Sequence, residues 1–336
     1  MKTALDVTSF SRRRWLALMP AALSCPILAA GEAPLDLQGH RGARGLAPEN
    51  TLAAFRRALT LGVSTLELDT GVSADGVVMV AHDTHLNPAI TRDANGQWLQ
   101  APGPAIHQLS RAELQRYDVG RIQPGSRYAQ TFASQQAADG ERMPTLAQVF
   151  ELVRDAGAST VRFNIETKLT PLLPQATPAP QPFVQAVLEV VRTYGMERRV
   201  TIQSFDWRSL RVVQAQAMHI PTVALTARQS WLDNVADVRW TAGLQLAEHE
   251  SSVPRLVRAG GFSIWSPYFG DLTAADRELA RQLRLPVVPW TVNLPADIER
   301  LLEWQVDGLI SDYPDRVRDA LAGRRLSLPP AYPARS

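Results

Sequence analysis

A closed (β/α)₈ TIM barrel, an α/β fold of eight parallel strands, is the fold class this sequence predicts, and three observations predict it. Between residues 35 and 322, eight short apolar runs alternate with longer amphipathic ones. The stretch exceeds the usual ~250 residues of such a barrel by about one insertion. Ionisable residues stand at the ends of the apolar runs, and a parallel barrel gathers those ends on one face.

The strand-like runs are Leu35–Gly39, Thr65–Asp69, Val161–Glu166, Val200–Gln203, Thr222–Leu225, Phe262–Trp265, Val287–Thr291 and Gly308–Ile310. Helical periodicity falls on Thr51–Leu61, Thr145–Ala156, Pro182–Tyr194, Trp207–Ala217, Val253–Ala259, Ala274–Leu283 and Pro295–Glu303. A doubly wound open sheet is the competing architecture. It usually carries G-x-G-x-x-G after its first strand, where this chain has His-Arg-Gly.

After the second strand, Asp75-Gly76 signals a hairpin into Val77–Ala81. Residues 83–143 then show little periodicity and much Gly, Pro, Gln and Asp, which predicts an insertion acting as a lid, with a short helix at Arg111–Arg116. The barrel domain is expected over 35–322. The segment 323–336, Pro-rich from Ser327 to Ser336, is expected to be a frayed, flexible tail.

Residues 1–30 are expected to be an export signal. Arg12, Arg13 and Arg14 precede a Pro-broken apolar stretch, Trp15–Ala30, with a cleavage site near Ala30 or Ala33. Ser11-Arg12-Arg13-Arg14-Trp15-Leu16 resembles a twin-arginine signal, so a periplasmic or secreted location is expected, without stable membrane insertion. The sole cysteine, Cys25, lies in this segment behind a poor lipoprotein match, Ala22-Leu23-Ser24. The remainder therefore has no disulfide or thiolate chemistry. Without Lys2, the three arginines and Asp6, the net charge drops from +2 to −1. No basic excess draws a nucleic acid or an anionic membrane, and no obligate protein partner is inferred.

At the strand ends stand His40 and Arg41, then Glu67 and Asp69, His82 and Asp83, Glu166 and Lys168, Trp290, Thr291 and Asn293, and Asp312. Glu67 and Asp69, two apart on a strand, point the same way, and Glu166 joins them. Three converging carboxylates repel unless a hard divalent cation, Mg²⁺ or Ca²⁺, relieves them; an exported setting tilts the choice to Ca²⁺. His40 and His82 suit acid–base work, and Arg41 and Lys168 suit a phosphate oxygen. The set describes phosphoryl ester cleavage.

The series "GHRG", "PENT", "ELD", "DG", "VVMVAHD", "NIETK", "QSF", "WTVN" and "DGLISDYP" resembles, in order, that of the glycerophosphodiester phosphodiesterases, from Leu37 to Pro314. The resemblance implies a barrel with an insertion after the second strand. It also implies metal-dependent hydrolysis of small glycerophosphodiesters, such as glycerophosphocholine and glycerophosphoethanolamine, to an alcohol and sn-glycerol 3-phosphate. By position, His40 and His82 look like the catalytic pair, and Glu67, Asp69 and Glu166 like the metal ligands. Arg41 and Lys168 look like the phosphate clamp, and Trp290 is similar to the aromatic at the glycerol end. "LNPAITRDANGQW" departs from the Leu-x-Arg-Thr of many relatives and resembles a long-insertion bacterial branch.

The remaining residues receive structural readings. Glu49 is expected to serve as a first-turn acid and Asp312 to secure the loop after strand eight. His85 is the one further histidine near the site; His107, His219 and His249 lack context. A phospholipase D-like enzyme acting on lysophospholipid or sphingomyelin is the rival on the same barrel, and it would need an exposed apolar rim. The mostly polar residues 84–143 favour a soluble substrate.

Overall fold

The computed structural model describes residues 34–333. The expected export signal over 1–30 and residues 334–336 of the tail lie outside the described residues. The strands are β1 (Asp36–Gly39), β2 (Thr65–Val72), β3 (Val78–Val80), β4 (Arg162–Thr167), β5 (Val200–Ser204) and β6 (Thr222–Thr226). A short ribbon, β7 (Arg228–Gln229) and β8 (Leu232–Asp233), precedes β9 (Ile264–Pro267) and β10 (Gly308–Ser311). Parallel pairing runs β10-β1-β2-β4-β5-β6-β9, with β3 antiparallel on β2.

Residues 286–292 close the ring. Val288 N donates to Trp265 O (2.9 Å) on one side, and Ile310 N donates to Pro289 O (3.0 Å) on the other. The seventh strand, expected at Val287–Thr291, is thereby reduced to single bridges, Trp265 to Val287 and Tyr268 to Trp290. Pro286 and Pro289 lack the N–H groups that a continuous ladder needs.

Helices follow the strands: α1 (Leu52–Leu61) after β1, then α2 (Arg111–Leu114) and α3 (Arg127–Thr131) in the insertion, and α4 (Leu146–Asp155) leading to β4. Next come α5 (Pro180–Thr193), α6 (Trp207–Gln216), α7 (Val253–Ala259), α8 (Ala274–Gln282), α9 (Pro295–Glu303) and α10 (Pro314–Gly323). α10 was absent from the helices expected. Thr51 caps α1 by accepting from Ala54 N (3.2 Å), as its place before an apolar-periodic run predicts.

Strand alternation sorts the side chains into two environments. Leu37, Leu66, Leu68, Phe163, Ile165 and Ile202 join the core between sheet and helices. Each large apolar side chain buried there contributes about 1.5–3 kcal/mol. The alternate residues Gln38, Asn164 and Gln203 are also buried, and they pair with one another inside the barrel.

The insertion packs around a small apolar cluster of its own, with Leu86, Ile106, Leu114 and Met143 on Met79 of β3. The tail is held as far as it is described. Tyr332 N donates to Leu59 O (2.8 Å), its hydroxyl pairs with Thr160 (2.7 Å), and Arg318 donates to Pro329 O (2.7 Å). Pro330 and Pro333 flank an anchoring aromatic, which composition alone does not reveal.

Candidate active site

β1 ends at Gly39, and His40 N still donates to Ser311 O (2.9 Å) of β10. The chain then reverses sharply through Arg41 (φ 50°) and Gly42 (φ 86°). A Cβ on Gly42 would meet the backbone of Ala54 at 2.6 Å, and one on Gly45 would meet the Tyr313 ring at 2.3 Å. The turn sends Arg41 N to Glu67 Oε2 (2.8 Å) and aims the His40 ring at the strand ends.

On β2 and β4, Asp69 lies opposite Glu166 in the ladder, and Glu67 follows two residues before Asp69 on the same face. Glu67, Asp69 and Glu166 are buried and each offers an oxygen within 4.8 Å of the others. Burial and Asp69 push Glu67 well above the usual carboxylate range. Burial, with Asp69, outweighs Lys168 and pushes Glu166 up to about 7. Asp69 goes the other way: burial opposes its charge, but Arg41, His82 and Lys168 hold it well below its ordinary value. Arg41 Nε lies 3.2 Å from Asp69 Oδ2, and Lys168 Nζ lies 2.8 Å from Glu166 Oε1 and 3.7 Å from Asp69 Oδ1. Asp69 Oδ1 nevertheless accepts no hydrogen bond. An oxygen-only donor set with an orphaned buried oxygen fits a hard divalent cation.

The two histidines are held by different carboxylates. His40 Nδ1 is 2.6 Å from Asp312 Oδ1. Burial and Arg44 lower His40 to about 4. Asp312 stays ionised despite burial, because Arg44 grips both of its oxygens (2.7 and 3.0 Å) and His40 faces it. An ionised carboxylate only accepts, so Nδ1 carries the proton and Nε2, 3.9 Å from Glu67 Oε2, is left with its lone pair. His82 Nδ1 pairs with Asp83 Oδ1 (2.9 Å), and this ring is one-third exposed. Burial, Arg41 and Lys168 lower His82 below its ordinary value.

His40, Arg41, Glu67, His82, Glu166, Lys168 and Trp290 line one cleft of about 440 Å³, and Asp69 lies beneath Arg41 and Lys168. The structure thus brings all eight sequence-predicted site residues together. Trp290 forms the far wall, its indole N–H on Ser266 O (3.0 Å) and its ring edge-on to Phe205 (5.2 Å).

One expectation is extended and another needs correction. Asp312 secures its loop through Asn293 (2.7 Å), as expected, but it is also the partner of the His40 imidazole. Glu49 is not a first-turn acid of α1, which has none; it is buried and bound to Arg41 Nη1 (2.6 Å). Sequence reasoning missed Arg44 and Tyr128. Arg44 lies four residues after His40, while Tyr128 gave no local signal. His85 pairs with Thr84 (3.0 Å) and faces a second cavity of about 390 Å³ behind His82.

Residues 40–316 match the glycerophosphoryl diester phosphodiesterase family. The chain belongs to that family. A glycerophosphodiester phosphodiesterase of Caldanaerobacter subterraneus is 29% identical over 276 residues, covering 82% of this chain and 93% of the relative. One from Bacillus subtilis is 28% identical over 285 residues, covering 82% and 83%. A solved structure from Silicibacter pomeroyi, ascribed to the same family, is 35% identical at a TM-score of 0.80, covering 88% of this chain and 96% of its own. An Oleispira antarctica phosphodiesterase, solved with the product sn-glycerol-3-phosphate, shares the fold at a TM-score of 0.63 and 20% identity, covering 86% and 97%. This member of the family is therefore an enzyme, a phosphoric diester hydrolase.

Proposed function

We propose that the enzyme hydrolyses soluble glycerophosphodiesters, glycerophosphocholine and glycerophosphoethanolamine among them, to an alcohol and sn-glycerol 3-phosphate. The observation that carries this reading is one cleft holding a buried carboxylate triad, two carboxylate-backed histidines and two cations. Glu67, Asp69 and Glu166 would hold one Ca²⁺ or Mg²⁺, which when bound supplies positive charge to a phosphate oxygen. Arg41 and Lys168 bind the remaining phosphate charge. Trp290 offers its apolar face to the glycerol carbons.

Neutral His40, its Nδ1–H fixed on Asp312, accepts the proton of the attacking hydroxyl through Nε2. The attacker is the glycerol 2-hydroxyl or water. His82, partly exposed and with its Nδ1–H on Asp83, acts as the acid in its charged form, which the negative charge of a bound phosphodiester favours over the neutral ring. It gives its Nε2 proton to the departing alkoxide. Residues 83–143 act as the lid. None of the exposed large apolar side chains among the described residues falls within 84–143, whose polarity supports a soluble substrate. Leu172, Leu173, Trp231 and Leu294 are exposed on other loops after the strand ends, with Trp231 edge-on to Trp290 (6.1 Å), so a lysophospholipid belongs in the assay. No helix among the described residues is long and apolar enough to cross a membrane. Export through residues 1–30 completes the proposal; a mature N-terminus near Ala30 or Ala33, read by mass spectrometry of secreted or periplasmic protein, would support it, and an intact Met1 would exclude it.

The test strips the enzyme with EDTA and restores Ca²⁺ or Mg²⁺. Release of glycerol 3-phosphate from glycerophosphocholine should return with metal and fall by about a thousandfold in His40→Ala. Choline release from lysophosphatidylcholine alone would establish the phospholipase reading instead. Turnover of neither substrate overturns both.

A further inference from the structure

The β1–α1 loop is held from outside the barrel by residues 126–136 of the insertion. Ser134 Oγ donates to Gly45 O (3.2 Å), Gln135 Nε2 to Arg44 O (2.7 Å) and Gln136 N to Leu46 O (3.0 Å). Phe132 packs edge-on to the Tyr128 ring at 4.9 Å and lies 4.6 Å from the Arg44 guanidinium. The Tyr128 hydroxyl, so placed, donates to Glu49 Oε2 and accepts from Arg44 Nη1 (3.4 Å). The other oxygen of Glu49 accepts from Arg41 Nη1 (2.6 Å).

Arg41 is thus suspended between two buried carboxylates, Glu49 and Asp69. Asp69 belongs to the triad, so Glu49 is the anchor independent of it. A carboxylate held at one oxygen can swing, whereas one held at both is fixed. A guanidinium free to swing spends less time aligned with a phosphate oxygen, which lowers ground-state affinity by about tenfold.

We infer that Tyr128, a residue of the insertion, is a positioning residue that fixes Glu49 and through it sets the Arg41 guanidinium against the substrate phosphate. The inference rests on the proposed phosphodiester chemistry and gives the insertion a role within the site as well as over it.

Tyr128→Phe keeps the ring packing on Phe132 and removes the hydroxyl. We expect KM, and the Kd of sn-glycerol 3-phosphate measured by calorimetry, to rise about tenfold, with kcat changed less than either. The melting temperature should stay near that of the native enzyme. Tyr117→Phe, in the insertion but away from the loop, should leave both constants unchanged. In a Glu49→Gln background, adding Tyr128→Phe should do nothing further, because the hydroxyl acts through that carboxylate. Native constants in Tyr128→Phe, full additivity with Glu49→Gln, or a loss explained by a lowered melting temperature would each overturn the assignment. A wild-type enzyme that neither turns over glycerophosphodiesters nor binds sn-glycerol 3-phosphate would overturn the functional reading, and the positioning role with it.

Discussion

The two ends of the barrel interior arise from the same strand alternation, yet they treat buried polarity in opposite ways. Towards the strand starts, Asn164 Nδ2 donates to Gln38 Oε1 (2.9 Å) and Gln203 Oε1 (2.8 Å), while its Oδ1 accepts from Thr201 (2.8 Å). Gln38 in turn donates to Asp36 (2.8 Å). Amides carry both donors and acceptors, so a ladder of them satisfies itself. At the strand ends, Glu67, Asp69 and Glu166 can only accept while ionised, and Asp69 Oδ1 is left without a hydrogen bond. Gln203 joins the halves: its Oε1 is committed to Asn164, so its Nε2 faces Glu67 Oε1 (2.6 Å). The lower half is complete without a ligand and the upper half is not, and the incomplete half is where a cation and a phosphate fit.

The largest way to break this contrast is Glu67→Gln. Divalent-ion binding by calorimetry should vanish and turnover should fall by about a thousandfold. The melting temperature should fall only slightly, because removing a crowded buried charge offsets the new amide NH2 set against the Arg41 N–H or the Gln203 NH2 from which Glu67 accepts. A destabilised variant with intact metal affinity would mean that the triad is structural.

Asn164→Ala should do the reverse in the lower half. Gln38, Gln203 and Thr201 lose a shared partner, costing about 2–3 kcal/mol in denaturant unfolding. Metal affinity should change by less than turnover does in Glu67→Gln. Unchanged stability would show that the ladder relaxes at no cost.

The smallest effect is set by pH. Glu166 binds its proton more tightly in the metal-free fold, at about 7, than at its ordinary value of 4.5. Its contribution to the stability of the metal-free protein is therefore present at low pH and lost as pH rises through about 7. A cation must displace that proton, so apparent affinity should weaken below about pH 7, approaching tenfold per unit for one proton. Affinity flat between pH 6 and pH 8 would remove Glu166 as a proton-competing ligand.

Much of this contrast was legible in the chain before any coordinates. Period-two spacing places Glu67 with Asp69, and the barrel prediction brings Glu166, His40, His82, Lys168 and Trp290 to the same face. The strand that failed as a regular ladder, at Val287–Thr291, contains Pro289 and follows Pro286, so the departure was written in its own residues. Asp312, Arg44, Glu49 and Tyr128 were misread or missed for a different reason. His40 and Asp312 are separated by 272 positions, and Tyr128 and Glu49 by 79.

By itself, then, the sequence determined the alternation of strands and helices, the face on which charge collects and the residue types available for chemistry. These follow from local geometry and periodicity. Tertiary structure alone decided which carboxylate holds which histidine, that Glu49 serves Arg41 rather than a helix end, and that the insertion reaches the site through Tyr128. Glu49 lies eight residues from Arg41 and meets it through the reversal at Arg41 and Gly42. The His40–Asp312 and Tyr128–Glu49 pairings instead depend on closing long loops against a packed barrel, where no spacing rule encodes the partner.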